Sequence, residues 1–513
     1  MMLIGMCPVR SQERESHPHL TDSIGYMVEM QSSMCFDGER TPLWLNANKY
    51  GLSSIEKNNG YLRASVERPL GVDEGRRWGV GYCLDMVGAV HHNAKAFIQQ
   101  AYAEGRWLRG TLTVGSKEYG MELKNQRLST GSQTLGINAR PVPQVRLSLD
   151  DYWSLPFTRG MVCLKGHIAY GRYTDDNWQK DFTGGKEKHT ERVLYHSKAG
   201  YLRIGNVERF APVTLELGLE MGAQFGGTSY RYIEGEEQVL HNQGGLKGMW
   251  DAFIPGGSEI IENDYTNVSG NQVGSWLARL NFDYDRWYLG IYADHFFEDH
   301  SGMFMMEYDG YGTGDEWDKK KKSRFLLYDL KDIMLGVDLR FKNSMLWINN
   351  ILVEYIYTKY QSGPVYHDHT PLIPDHVGGL DKYYNHHIYT GWQHWGQVMG
   401  NPLYRSPQYN EDSKIMVENN RFVAWHLGIG GEPTDEISYR VLATWQKGWG
   451  TYTMPFRDPA TSVNLMAEAC YTFPNHGALN GWSVTAAAGL DHGKIYGNNV
   501  GLQLTISKKG LMK

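Results

Sequence analysis

The residues from Pro212 to Gly226 constrain most tightly what this chain can fold into. Val213, Leu215, Leu217, Leu219, Met221, Ala223 and Phe225 alternate with Thr214, Glu216, Gly218, Glu220, Gly222, Gln224 and Gly226. Successive side chains of a strand project to opposite faces, so an extended segment here has one apolar wall and one polar wall. Glu216 and Glu220 lie mid-segment, and the polar wall is therefore expected to face water. Strands of soluble sheets usually run about 5–6 residues, whereas a tilted strand crossing a bilayer needs about 9–11. This segment is long enough to cross.

The same period recurs from end to end. Ile24, Tyr26, Val28 and Met30 follow it, as do Trp78, Val80, Tyr82, Leu84 and Met86, then Val162, Leu164, Ile168 and Tyr170, and Trp276, Ala278, Leu280, Phe282 and Tyr284. It is cleanest near the C-terminus, through Ile437–Trp445, Val463–Phe473, Trp482–Leu490 and Val500–Ile506. Several of these segments begin or end on Trp, Tyr or Phe, as interface anchors do. With weaker segments included, the pattern implies roughly 18 strands, and bacterial barrels favour even numbers.

The bulk properties agree. The chain has no run of about 18 apolar residues, which excludes helical membrane spans. A mean hydropathy of -0.49 is compatible with a membrane barrel, because each strand hides its apolar half between polar residues. Aromatics make up 13%, with 33 Tyr, 16 Trp and 59 Gly, which suits a large antiparallel β protein. The expected fold is all-β: a single antiparallel transmembrane β-barrel of roughly 18 strands with long extracellular loops and a lumen plug. It spans residues 23–513 behind a leader or partial signal at 1–22, and no Pro/Ser-rich linker divides it. The apolar run Met1–Val9 is short and lacks a basic flank, but it is consistent with export.

Loop lengths assign the two rims, since such barrels have short periplasmic turns and longer extracellular loops. Glu432-Pro433-Thr434-Asp435 and Pro474-Asn475-His476-Gly477 read as periplasmic turns. Three long polar insertions, about 228–275, 301–322 and 361–420, read as extracellular, and Gly245 to Phe253 within the first reads as a short helix. The weakly periodic stretch Asn125–Leu155 is expected to fold into the lumen or cap one mouth.

A net charge of -6, from 51 Lys+Arg against 57 Asp+Glu, argues against a nucleic-acid partner. The scattered Cys7, Cys35, Cys83, Cys163 and Cys470 suit neither a disulfide framework nor a metal site. No GxSxG, HExxH or Walker A pattern occurs, so no enzymatic activity is expected. Asp150 and Asp151 point to opposite faces if extended, which makes a poor glycosidase pair. His367, Asp368, His369, His376, His386, His387 and His394 gather six of the 19 histidines. Without a second element of defined spacing they read as a solvated loop, and neither metal nor cofactor is expected. Lys319-Lys320-Lys321-Lys322 reads as a solvated charge run, with lipopolysaccharide phosphates as the alternative contact.

The stretch from Gly131 to Leu147 (GSQTLGINARPVPQVRL) resembles the Wzi-type capsule assembly proteins in the form found in Bacteroidetes. Thr41–Leu52, Leu155–Gly160, Gly391–Leu403 and Trp449–Tyr452 resemble the same family, in the same order. The resemblance implies an outer-membrane barrel with lectin-like binding of capsular polysaccharide or exopolysaccharide, in contact with outer-membrane lipid and lipopolysaccharide. Enterobacterial relatives carry an N-terminal periplasmic helical portion, whereas here a strand-like segment starts by Ile24. The competing reading is a porin or polysaccharide export channel, since an 18-stranded barrel can enclose an aqueous lumen.

Two clusters are candidates for glycan contact. Arg140 and Arg146 flank a bend fixed by Pro141 and Pro143. Their guanidinium forks suit uronic-acid carboxylates, or else pair with Asp150 and Asp151 to pin the plug. Tyr384, Asn385, His386, Tyr389, Trp392, Trp395 and Asn401 combine flat aromatic faces with planar amides, as a sugar platform requires; an interface girdle requires the same aromatics.

Overall fold

In the computed structural model the described residues are 23–233, 235–254, 270–298, 306–307, 312–319, 324–325, 330–342, 347–365, 370–373, 379–474 and 476–512. Eighteen strands among them form one sheet. The first half comprises β1 (Gly25–Asp37), β2 (Asn58–Arg68), β3 (Trp78–Val90), β4 (Ala96–Trp107), β5 (Gly110–Ser116), β6 (Gln144–Ser154), β7 (Val162–Arg172), β8 (Leu194–Ile204) and β9 (Val213–Phe225). The second comprises β10 (Asn271–Asp283), β11 (Trp287–Glu298), β12 (Ile333–Phe341), β13 (Asn350–Tyr357), β14 (Phe422–Gly431), β15 (Ile437–Gly450), β16 (Pro455–Thr472), β17 (Trp482–Gly493) and β18 (Asn499–Leu511). Each strand pairs antiparallel with its sequence neighbour, and β1 pairs antiparallel with β18, from Gly25↔Leu511 to Asp37↔Val500. Closure leaves no sheet edge, which satisfies every backbone polar group in a medium without water.

The rims differ as the loop lengths implied. Residues 38–57, 117–143, 173–193, 226–270, 299–332 and 358–421 all leave the rim where β1 ends. The opposite rim holds short links such as 108–109, 205–212, 284–286 and 432–436. By the usual asymmetry of such barrels the first rim is extracellular.

Alternation sorts the walls. On β1, Val28, Met30 and Met34 are exposed on the outside, while Gln31 and Ser33 are buried in the lumen. Trp78, Trp107, Phe157, Phe210, Tyr284 and Trp347 are exposed at the short-turn rim, and Tyr355, Trp425 and Trp445 form a second aromatic level nearer the long loops. No helix among the described residues is long and apolar enough to cross a membrane.

Two expectations need correction. The stretch Asn125–Leu155 divides: residues 117–143 enter the lumen, but Gln144–Ser154 is wall strand β6, so Arg146 belongs to the wall. The polar face of β9 is not simply hydrated either. Glu220 is 1% exposed, because the entering loop lies over it and the backbone N–H of Leu135 donates to its carboxylate at 3.4 Å. The Gly245–Phe253 helix is present.

Candidate functional site

Three loop segments fill the barrel, and each is fastened to wall side chains that period-2 alternation turns inward. The first, 38–57, carries the single-turn helix α1 (Leu43–Asn46). Its Leu43 N–H donates to both carboxylate oxygens of Asp491 on β17, at 3.0 and 3.2 Å, and Trp44 Nε1 donates to Thr444 Oγ1 on β15 at 3.0 Å. The second, 117–143, meets strands β11 to β13. Asn125 donates to Asp338, Gln133 N–H to Asp294, Ser129 and Thr130 to Glu354, and Lys124 pairs with Asp294 at 3.0 Å. The third, 379–420, lies on the second. Trp392 Nε1 donates to the Thr134 carbonyl at 2.9 Å, and Asn138 Nδ2 donates to the Val398 carbonyl at 2.9 Å.

This third segment contains the proposed aromatic platform, and its rings are interior. Trp392 and Tyr384 have no exposed surface. A Cβ on Gly222 of β9 would lie 2.3 Å from the Trp392 ring, so the wall is glycine there to admit the indole. Tyr384 stacks on Tyr404 with centroids 4.0 Å apart, and its hydroxyl donates to the Gln133 carbonyl while accepting from Asn401 N–H. Asn401 Nδ2 donates to Thr130 Oγ1 and the Gly131 carbonyl, both at 3.0 Å. Tyr389 is buried with its hydroxyl donating to Gly226 O. His386 is buried, its Nδ1 accepting from the N–H groups of Ile388 and Tyr389 at 3.1 Å. Asn385 is half-buried and clamps Val417 through both its amide groups. Trp395 is half-buried, at the edge of the plug.

Arg140 and Trp395 are brought together. The Arg140 guanidinium is 4.4 Å from the Trp395 ring centroid and 3.7 Å from that of Phe97, at the start of β4. Arg140 is 5% exposed, and its Nε and Nη2 have no hydrogen-bond partner among the described residues. Arg146 stacks on Tyr119 at 3.9 Å. The alternative pairing of these arginines with Asp150 and Asp151 is absent among the described residues, and aromatic faces take up both cations. A cavity of about 240 Å³ between the second segment and the wall is lined by both arginines with Lys117, Lys165, Glu122 and Asp150. Phe97 gave no local sign of this role, since it occupies an ordinary position in an alternating strand.

Burial controls the electrostatics around the cage. It lowers Arg140 to about 9, with Asp175 nearby opposing the shift. His394 donates from Nδ1 to the Arg140 carbonyl at 2.8 Å and accepts at Nε2 from Thr174 N–H, and burial lowers it to about 3. Burial raises Asp175 to about 6, although the Trp395 N–H and Gln393 amide donate to it. His367, Asp368, His369, His376 and Lys320–Lys322 lie outside the described residues. No group of His, Cys, Asp and Glu among the described residues could hold a metal ion.

A closed 18-stranded sheet with an apolar exterior, aromatic belts and a loop-filled lumen defines an outer-membrane β-barrel. The chain is similar in structure to Wzi of Escherichia coli, described as an outer-membrane protein involved in group 1 capsule assembly and a carbohydrate-binding β-barrel. The identity is 13% and the TM-score 0.53, over 94% of this chain and 83% of that one. It is also similar to OprD of Pseudomonas aeruginosa, with 8% identity, TM-score 0.45 and 96% and 95% coverage. OccK2 of the same organism matches with 7% identity, TM-score 0.47 and 96% and 98% coverage. No protein-family model and no curated protein matches the chain.

Proposed function

We propose that this barrel binds capsular polysaccharide or exopolysaccharide at the cell surface of a Gram-negative bacterium and helps to anchor it, without catalysis. One observation carries the reading: two loop segments are bonded to the wall through buried carboxylates and a third is bonded to the second, so the lumen holds a fixed plug where a diffusion pore would hold water. The resemblance of the Gly131–Leu147 stretch to Wzi-type proteins supports the choice of glycan. Residues 23–513 form the binding barrel in this reading, and 1–22 its leader.

Within the proposed glycan-binding set, Trp395, half-buried at the edge of the plug, is best placed to contact sugar, and Arg140 lies buried against its ring, where a carboxylate entering beside Trp395 would reach it. Arg146 is assigned the lumen cavity. Tyr384, His386, Tyr389, Trp392 and Asn401 hold the surface that carries Trp395. Binding of a repeating polymer is multivalent, so many weak contacts across the long loops replace one deep pocket.

The test compares cell-bound with released polysaccharide in a strain lacking the protein. A shift from bound to released at unchanged total is the expected result. A fall in the total would favour an export channel instead. Planar-bilayer conductance separates the porin reading, since the plugged barrel is expected to be silent.

A further inference from the structure

The helix Gly245–Phe253, labelled α2 here, does not sit over the mouth. It lies against the outside of the wall. The outward residues of β9 change character along the strand: Val213 and Leu217 are exposed, whereas Met221, Ala223 and Phe225 on the same face are buried. What covers Ala223 and Phe225 is α2, through Ala252 and Met249, with Tyr170 and Leu194 of the neighbouring strands completing the contact. The helix is held by its carbonyls. Tyr170 OH donates to Met249 O at 2.9 Å, Gln272 Nε2 to Asp251 O at 3.3 Å, and Lys198 Nζ to Phe253 O.

The opposite side of α2 is apolar and open. Leu246 is 86% exposed, Trp250 60% and Ile254 41%, and their spacing of four places them on one stripe of the helix. The register locates this stripe. The ladder of paired residues from Ala443 on β15 runs through Leu427, Val353, Val337, Ile291 and Leu280 to Leu215 on β9. It then passes to Ile204 and Val162 on the short-turn rim. The ladder therefore descends toward the periplasmic side, as strand tilt in a barrel requires. The level of Trp445, two residues above Ala443, is reached on β9 several residues beyond Leu215, where the wall passes under α2. The helix thus continues the exposed apolar exterior at the outer aromatic level.

We propose that α2 is a membrane-interfacial helix, with Leu246, Trp250 and Ile254 embedded at the headgroup–acyl boundary of the outer leaflet. The occupant of its apolar stripe is lipid, because the stripe is continuous with the lipid-facing wall and carries a tryptophan at the depth where indoles concentrate. The helix anchors its own part of the long loop after β9 to the membrane plane beside the barrel mouth. This assignment does not depend on what the loops bind.

The test uses the full-length protein refolded into phosphatidylcholine vesicles, and subtracts the emission of Trp250→Phe from that of the wild type to isolate Trp250. Heat-modifiable migration verifies that both barrels fold. The expected difference spectrum is blue-shifted, loses intensity with lipids brominated near the headgroup, and resists aqueous iodide. A red-shifted difference spectrum quenched by iodide would overturn the proposal, and so would one quenched by neither agent, since protein would then cover the stripe. Leu246→Glu provides a second variant: an iodide response at Trp250 that rises above wild type is expected, and an unchanged one counts against lipid contact.

Discussion

Thr130 gives both its backbone N–H and its hydroxyl to one carboxylate oxygen of Glu354, at 2.8 and 2.6 Å, across 224 residues of sequence. Ser129 and Tyr292 donate to the other oxygen. A single acid on β13 thus satisfies donors from the plug and from β11, in a site with no exposed surface at Glu354. Removing it orphans several buried groups, each worth about 1–3 kcal/mol. Glu354→Ala is expected to keep the barrel, whose ladder is untouched, but to loosen residues 117–143 and produce conductance steps in planar bilayers. Glu354→Gln, which retains one acceptor oxygen, should behave between the two. A silent Glu354→Ala barrel with unchanged protease resistance would show that the plug does not depend on this junction.

The wall was legible in the sequence, and so was a plug that includes the residues after Asn125, but the contacts that fix the plug were not. Val213 to Phe225 announces a membrane strand because each residue's facing is set by its immediate neighbours. Nothing comparable marks Trp392. Its indole needs Gly222 and the Thr134 carbonyl, contacts made through the fold of distant segments and not through local period. The same aromatics that could have made a girdle or a sugar platform largely fill the lumen. Arg140 illustrates the limit differently. Its lack of an acidic partner emerges only when Phe97 and Trp395 are placed on its two faces.

The exterior of β9 offers a direct test of membrane facing. Leu217 points outward and is exposed, while its neighbour Gly218 faces the lumen beside Tyr201. Leu217→Arg is expected to cost about 2–4 kcal/mol, as for an arginine on the lipid face near the bilayer midplane. Urea titration of the barrel in vesicles measures it. A cost near zero would place Leu217 outside the hydrocarbon.

Acid sensitivity of the plug follows from neighbours with opposite shifts. His394 is lowered to about 3 and His92 to about 4, so the unfolded state binds more protons below about pH 6.5, and their contribution to stability is lost as pH falls toward 4. Asp175 is raised to about 6, so the folded state binds its proton first, and its contribution grows as pH falls from 6 to 4. In the wild type the second trend partly offsets the first. Asp175→Asn keeps an acceptor for the Trp395 N–H and removes the compensating proton uptake. The variant is expected to lose plug protection against protease more steeply than wild type between pH 7 and pH 4.5. Parallel pH profiles would show that Asp175 does not titrate in this window.

The Arg140–Trp395 cage is where the proposed glycan reading is most exposed to failure. The guanidinium is held between Phe97 and Trp395, and its Nε and Nη2 bond to nothing among the described residues. The guanidinium is buried, so a uronic-acid carboxylate has to enter beside the Trp395 ring to supply the missing acceptor, and charge-assisted bonds of this type are worth about 1.5–3 kcal/mol. Arg140→Lys preserves charge but loses the planar fork that suits carboxylate. Arg140→Lys and Trp395→Ala are each expected to weaken binding of an acidic polysaccharide by roughly ten-fold, about 1.4 kcal/mol, and Arg140→Lys to leave a neutral one unaffected. Titration of purified barrels against both polymers by calorimetry measures this, with heat-modifiable migration checking the fold. Equal losses for acidic and neutral glycans in Arg140→Lys would mean that the arginine only positions Trp395, and unchanged binding in both variants would move the glycan site elsewhere on the long-loop rim.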